Sequence, residues 1–308
     1  MPDQNFDVII IGGGMAGLTA GIYAARQGLS TAVVEQMMAG AQIINLERIE
    51  NFPGFPQGIA GYELGPSTQE QAMNAGVEIL MDTVASVSSD GDFLRVAGEG
   101  GGSYLGKAVI MATGSTLRTL GIPGEEEFFG RGVSHCASCD GPLYMGQTVA
   151  VVGGGDSAAD EALTLTEYTE RVILFHRGDG LDAQQVLQER LAANPKIEVR
   201  YNSEVVEVVG EDTVTGVRVR SADGENVEPV GGLFVYVGLE PNSSPVSDLV
   251  PLDNAGHIPV GLSMDTPQPG LFAAGDIRQQ SAAQLVASAG DGATAAIAAH
   301  RYIRSREW

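Results

Sequence analysis

The chain has 308 residues, 44% of them hydrophobic and 18% charged, which excludes a disordered chain and leaves room for two packed cores. Its net charge of −22 reflects a shortage of base: 39 acidic residues face 17 basic ones, of which only Lys107 and Lys196 are lysines. A field of that sign disfavours nucleic acid, anionic membrane surfaces and strongly acidic partners. The apolar run Val8–Ile11 is too short to span a bilayer and follows Asp3 rather than a basic residue, so it reads as neither anchor nor signal peptide. The expected location is cytoplasmic, and a chain with only two cysteines fits a reducing compartment.

In chain order, Phe6–Ile11 reads as a strand, followed by Gly12-Gly13-Gly14-Met15-Ala16-Gly17, a helix through Arg26 and a second strand, Thr31–Val34, ending at Glu35. The glycine spacing and the acid about twenty residues on form a dinucleotide fingerprint. Gly12 permits the tight turn, Gly14 lets a pyrophosphate approach the backbone, Gly17 lets helix and strand pack, and Glu35 can accept ribose hydroxyls.

Next, the only two cysteines fall in Cys136-Ala137-Ser138-Cys139-Asp140. Thiols at this spacing can close and open a small ring, and Asp140 beside them can shuttle a proton. A zinc site would need two more ligands, and His135, His176, His257 and His300 do not supply them at metal spacing.

The fingerprint then repeats. Thr148–Val152 reads as a strand, Gly153-Gly154-Gly155-Asp156-Ser157-Ala158 opens a helix to about Tyr168, and Arg171–Phe175 is the next strand. Gly153, Gly155 and Ala158 stand where the three small residues are needed. Asp160 and Glu161 read as a solvated helix face, and Met37-Met38 as a locally packed pair. A short strand ends in Gly275-Asp276, and Gln284–Arg301 suits a helix. Both ends of the chain therefore belong to one domain, 1–115 with 245–308, into which 116–244 is inserted, with hinges near Thr113-Gly114 and Gly238–Pro241. The predicted fold is α/β: two Rossmann-like, doubly wound, three-layer domains.

With these residues in place the chain resembles the low-molecular-weight thioredoxin reductases over essentially its whole length. Further marks are Ile49-Glu50-Asn51-Phe52-Pro53-Gly54-Phe55-Pro56, Ala112-Thr113-Gly114, Ala273-Ala274-Gly275-Asp276 and Ala289-Gly290-Asp291-Gly292. The resemblance implies FAD held in the first domain by the glycine loop, Glu35, Gln42, Asn51, Gly114, Gly275, Asp276 and Gln284. It implies that Cys139 faces the flavin, that Cys136 attacks the substrate disulfide, and that Asp140 donates and accepts protons. A homodimer and a thioredoxin-like or small disulfide or dithiol partner are implied as well.

Two departures bear on the electron donor. NADPH-using relatives carry His-Arg-Arg-x-x-x-Arg, whereas this chain has His176-Arg177-Gly178-Asp179-Gly180-Leu181-Asp182. The family's Arg-Gln before the last helix is Ala283-Gln284. A 2′-phosphate carries roughly two negative charges, so Asp182 repels it and the lost arginines no longer clamp it. NADPH is not the expected donor; NADH, reduced ferredoxin and a second flavin remain, and the second fingerprint either holds a nucleotide or survives as a packing scaffold. The expected function is FAD-dependent transfer of electrons through the Cys136–Cys139 pair to a disulfide. The rivals are a dithiol oxidase that passes electrons to oxygen and a non-catalytic redox sensor. His176 is expected to line the nucleotide edge, and His135 either lowers the thiol pKa or caps a turn. Trp308 is expected to dock on a neighbouring surface, with stacking on a flavin as the alternative.

Overall fold

The computed structural model describes residues 3–37, 43–44 and 46–308, so Gln42 and Met38 lie outside the described residues. The chain divides into two compact units, one formed by the stretches up to Thr116 and from Glu240 onward, the other by Leu117–Leu239.

In the first unit the strands β1 (Gln4–Ile11) and β2 (Thr31–Glu35) flank α1 (Met15–Arg26), and α2 (Gly61–Asn74) leads to β3 (Glu78–Met81). A hairpin of β4 (Val84–Asp90) and β5 (Phe93–Gly98) precedes the long β6 (Ser103–Met111). The sheet order is β3-β2-β1-β6-β5-β4. Pairing is parallel from β3 through β6 and antiparallel at the β5 and β4 edge. The inner strands carry continuous apolar runs, Val8–Ile11 and Ala32–Val34, because both faces of a parallel sheet are covered. One face packs Ile10, Val33 and Ile110 on α1 and the C-terminal helix; the other packs Ile9, Val34 and Met111 on Val246 and Val250.

The connecting strand β7 (Ser115–Leu117) leads to the second unit. There β8 (Val133–Ser134) precedes α3 (Ala137–Asp140), and β9 (Thr148–Gly153), α4 (Asp156–Leu165) and β10 (Arg171–Phe175) repeat the opening pattern. After α5 (Gln185–Ala193) and β11 (Ile197–Arg200) comes an antiparallel sheet of β12 (Glu204–Gly210), β13 (Val214–Ser221) and β14 (Gly224–Pro229). The next strand, β15 (Gly232–Tyr236), completes a parallel sheet in the order β11-β10-β9-β15-β8. Two cores cover its faces, around Phe175 and Val235 on one side and Leu165, Leu174 and Phe234 on the other.

The chain leaves this unit through β16 (Leu239–Pro241), which pairs with β7. In the first unit again, β17 (Leu271–Ala273) joins the C-terminal half of β6, and α6 (Leu285–Arg304) closes the chain. Both sheets are the doubly wound kind that the fingerprints predict. α4 stops at Leu165, short of the predicted Tyr168, because Glu167 and Tyr168 N–H groups donate to carbonyls three residues back and wind a turn.

α6 crosses α1 at close range through small residues. A Cβ on Gly292 would lie 2.1 Å from the Ala16 carbonyl oxygen, a contact between backbones that no rotamer change relieves. Gly292→Ala is expected to destabilise the first unit by about 3 kcal/mol, read as a drop on the order of 10 °C in its calorimetric transition. An unchanged transition would mean that α1 and α6 do not pack this closely.

At the C-terminus the Trp308 indole N–H donates to the Ile303 carbonyl at 2.7 Å. Its ring lies 5.5 Å from Phe93 and 6.2 Å from Tyr302, with Lys107 Nζ 5.6 Å above it. Trp308 is a docked tail on the first unit.

Candidate active site

The first fingerprint forms the turn between β1 and α1. Gly12 has φ +107°, and a Cβ there would lie 2.3 Å from the Ala112 carbonyl oxygen, so only glycine fits. α1 begins at the N-cap Gly14 with no side-chain cap and no acid in its first turn. A bound pyrophosphate satisfies such a terminus, since its first N–H groups have no partner inside the helix. Glu35, buried at the end of β2, accepts the Gly13 N–H at 2.5 Å and the Met37 N–H at 3.0 Å. Its carboxylate retains acceptor capacity for ribose hydroxyls. Met37 itself is exposed rather than packed.

Other parts of the chain converge within the same unit. Asn51 Nδ2 donates to Gln284 Oε1 at 3.0 Å, joining two residues separated by 233 positions. Gly114, with φ +61°, is clasped by Asn242, whose N–H donates to the Gly114 carbonyl at 3.0 Å. The Asp276 carboxylate accepts the hydroxyls of Ser281 (3.3 Å) and Ser288 (3.1 Å). Beside it, buried Asp291 accepts the Gly275 N–H at 3.2 Å and pairs with Arg278 at 2.5 Å. The Arg278–Asp291 pairing is not legible in the linear chain, although Asp291 falls in the Ala289-Gly290-Asp291-Gly292 run that carries the resemblance. The uncapped α1 terminus, Glu35 and Asp276 fit FAD: a turn for its pyrophosphate, an acceptor for its ribose and a second carboxylate for its hydroxyls.

In the second unit Cys136 and Cys139 form a disulfide, with Cα atoms 5.3 Å apart. Cys136 N–H donates to Ser134 Oγ at 3.1 Å, and Ser134 Oγ donates to Asp140 Oδ2 at 2.5 Å. One buried hydroxyl at the end of β8 thus ties the redox turn to its carboxylate. Cys139 N–H points at Cys136 Sγ, 3.2 Å away, so a thiolate on Cys136 gains a backbone donor. Cys139 is exposed and Cys136 half-buried. Burial holds the His135 pKa below its usual value, with Glu125 opposing weakly. That shift disfavours a cationic imidazole beside the thiol.

The second fingerprint is also formed. Ala158 packs so closely that a Cβ on Gly153 would come 2.6 Å from its own Cβ, while the space above Gly155 is open. His176 Nδ1 lies 3.0 Å from the Gly153 carbonyl, against the glycine loop. The segment after β10 folds back on this loop: Asp182 and Ala183 N–H groups donate to the Gly154 carbonyl at 2.8 and 3.1 Å. Gln184 holds Asp156 from both its backbone (2.8 Å) and its side chain (2.6 Å). Arg177 and Asp182 are both exposed beside the loop.

Residues 6–293 match the family described as pyridine nucleotide-disulphide oxidoreductase. The chain belongs to that family. It is 42% identical over 304 residues to thioredoxin reductase of Listeria monocytogenes, covering 98% of this chain and 95% of that one. It is 44% identical over 300 residues to a bifunctional thioredoxin reductase/thioredoxin of Mycobacterium leprae, spanning 96% of this chain but 66% of that longer protein. The crystal structure of Lactococcus lactis thioredoxin reductase matches with a TM-score of 0.95 at 39% identity, covering 98% of this chain and 100% of that one. This family member is a FAD-dependent thiol-disulfide oxidoreductase with two Rossmann-like domains, as its motifs predict. Among the described residues no helix is long and apolar enough to cross a membrane.

Proposed function

We propose that the protein takes electrons from NADH rather than NADPH and delivers them, by way of FAD and the Cys136–Cys139 pair, to the disulfide of a thioredoxin-like protein. The observation that carries the donor reading is the return of Leu181–Gln184 onto the second glycine loop, which fixes Asp182 beside Gly154. A carboxylate there repels a 2′-phosphate and leaves a ribose hydroxyl unopposed. The open approach at Gly155 and the lack of a side-chain cap on α4 support a working nucleotide site rather than a scaffold. A thioredoxin-like partner is supported by the relatives' names, one of which carries reductase and thioredoxin together.

Gly12, Gly14, Gly17, Glu35, Asn51, Gly114, Gly275, Asp276 and Gln284 would hold FAD, which when bound supplies the two-electron chemistry that a disulfide requires. Gly153, Gly155 and Ala158 would hold the nicotinamide nucleotide. Opening the Cys136–Cys139 bond consumes two electrons and two protons. The Cys136 thiolate then attacks the substrate S–S bond, forming a mixed disulfide and releasing one substrate sulfur, which Asp140 protonates. Attack of the Cys139 thiolate on Cys136 Sγ restores the internal disulfide and releases the second substrate sulfur. Ser134 keeps Asp140 within reach of these transfers. A cytoplasmic location completes the reading, in keeping with the two-cysteine chain, and the relatives' likeness extends the proposal to a homodimer.

Anaerobic titration of the yellow holoprotein tests it. NADH is expected to bleach the flavin band within a few equivalents, with NADPH far slower. Equal bleaching by the two nucleotides would sink the donor assignment. Bleaching by dithiothreitol alone would instead favour a dithiol oxidase and make the second fingerprint a scaffold.

A further inference from the structure

The redox turn has a neighbour that the sequence reading placed on a solvated helix face. Glu161, on α4, turns inward: its Oε2 accepts the Ala137 N–H at 2.9 Å. Ala137 is fully buried and directly follows Cys136, so this bond reaches the redox pair through a single peptide unit. From β15 the Tyr236 hydroxyl faces the same carboxylate and the same amide, and its pKa is raised by burial first and by the Glu161 charge next. Among the described residues that hydroxyl is buried without a hydrogen bond of standard geometry, as is His135 Nε2, next to Cys136 in the chain. Buried polar atoms left in this state are rare.

We propose that Glu161 is a positioning residue for the Cys136–Cys139 pair: it anchors the Ala137 peptide, and its charge keeps the reduced pair a strong electron donor. A carboxylate held near a thiol disfavours the thiolate. A reduced form that is less stabilised gives its electrons up more readily, the converse of dithiols whose stabilised thiolate makes their disulfide a strong oxidant. The Cys139 N–H at Cys136 Sγ acts in the opposite sense, so the poise of the pair is set between the two. Other titratable groups at the turn include Asp140, His135 with its pKa lowered by burial and Glu125 opposing, Tyr144 from the following turn, and Tyr168, whose ring lies against Gly141.

The proposal rests on Cys136 and Cys139 being the exchanging pair, which thiol counting on the wild-type holoprotein before and after dithiothreitol checks separately. The test is the pH dependence of iodoacetamide alkylation at Cys136 in the reduced holoprotein, followed by peptide mass. Glu161→Gln keeps an acceptor for the Ala137 N–H and removes the charge. Its alkylation midpoint is expected to fall by about one pH unit, and its equilibrium with glutathione to move severalfold toward the dithiol. Glu161→Asp, which retains the charge, is expected to stay near the wild-type midpoint. If Glu161→Gln does not fold, Tyr236→Phe carries the test: it leaves the carboxylate and deletes the dipole facing it, so the midpoint is expected to rise. An unshifted midpoint in both Glu161→Gln and Tyr236→Phe overturns the proposal. So does a fall in Glu161→Asp equal to that in Glu161→Gln.

Discussion

A Cys139→Ser variant is expected to keep a reducible flavin while losing turnover of a disulfide substrate by at least about a thousandfold, as for other enzymes stripped of an essential thiol or hydroxyl. The reason lies in the two-step exchange. Cys136 can still attack, because its Sγ retains the backbone donor at residue 139, 3.2 Å away in the disulfide form. No thiol is left to resolve the mixed disulfide, so the covalent complex with substrate should accumulate on a non-reducing gel. Cys136→Ser should lose turnover to the same extent and form no such complex. The greater exposure of Cys139 would by itself favour it as the attacking sulfur. Stabilisation of the thiolate by a peptide N–H outweighs this and favours Cys136, because the thiolate is the reacting species. A complex trapped by Cys136→Ser instead would exchange the two roles, and undiminished turnover in either variant would refute the redox assignment.

The second large effect concerns the donor. Asp182→Arg is expected to raise kcat/KM for NADPH by roughly a hundredfold while changing that for NADH little. It removes a repulsion and adds a charge-assisted hydrogen bond, each worth about 1.5 kcal/mol. The substitution is structurally mild, because residue 182 contacts the glycine loop through its backbone N–H and its side chain is exposed. Gly178→Arg is less clean: a Cβ there would come 2.7 Å from His176 Nε2, and His176 itself lies against Gly154. It therefore belongs in a double variant, tested after Asp182→Arg alone. A wild-type enzyme that already uses NADPH as well as NADH, or an Asp182→Arg enzyme with no gain, would show that the 2′-phosphate is read elsewhere.

These effects connect through the second unit, where one short stretch of chain carries the chemistry and its surroundings set the terms. Ser134 links Asp140 to the Cys136 peptide, and Glu161 holds the next one. Two carboxylates held at the redox turn suit a device that must protonate leaving sulfurs and still release electrons readily.

Much of this could be read from the linear chain, for a physical reason. Glycine loops, strand–helix alternation and the Cys136–Cys139 spacing are local: a tight turn, a continuous apolar run or a small ring imposes its demand on adjacent residues. The two parallel sheets, the glycine turns and the redox turn follow from such runs. What only the tertiary structure decided were the long-range pairings. Asn51 meets Gln284, Arg278 meets a buried Asp291, and Asp182 is brought to Gly154 by a loop that folds back. Glu161 is the sharpest case. In the sequence it is one acid among 39, next to Asp160 on a helix whose solvated face accounts for an acid without any function. Its inward turn toward Ala137 depends on how α4 packs against the redox turn beside β15. Periodicity cannot show this, because the bond joins residues 24 positions apart through packing rather than through any local rule.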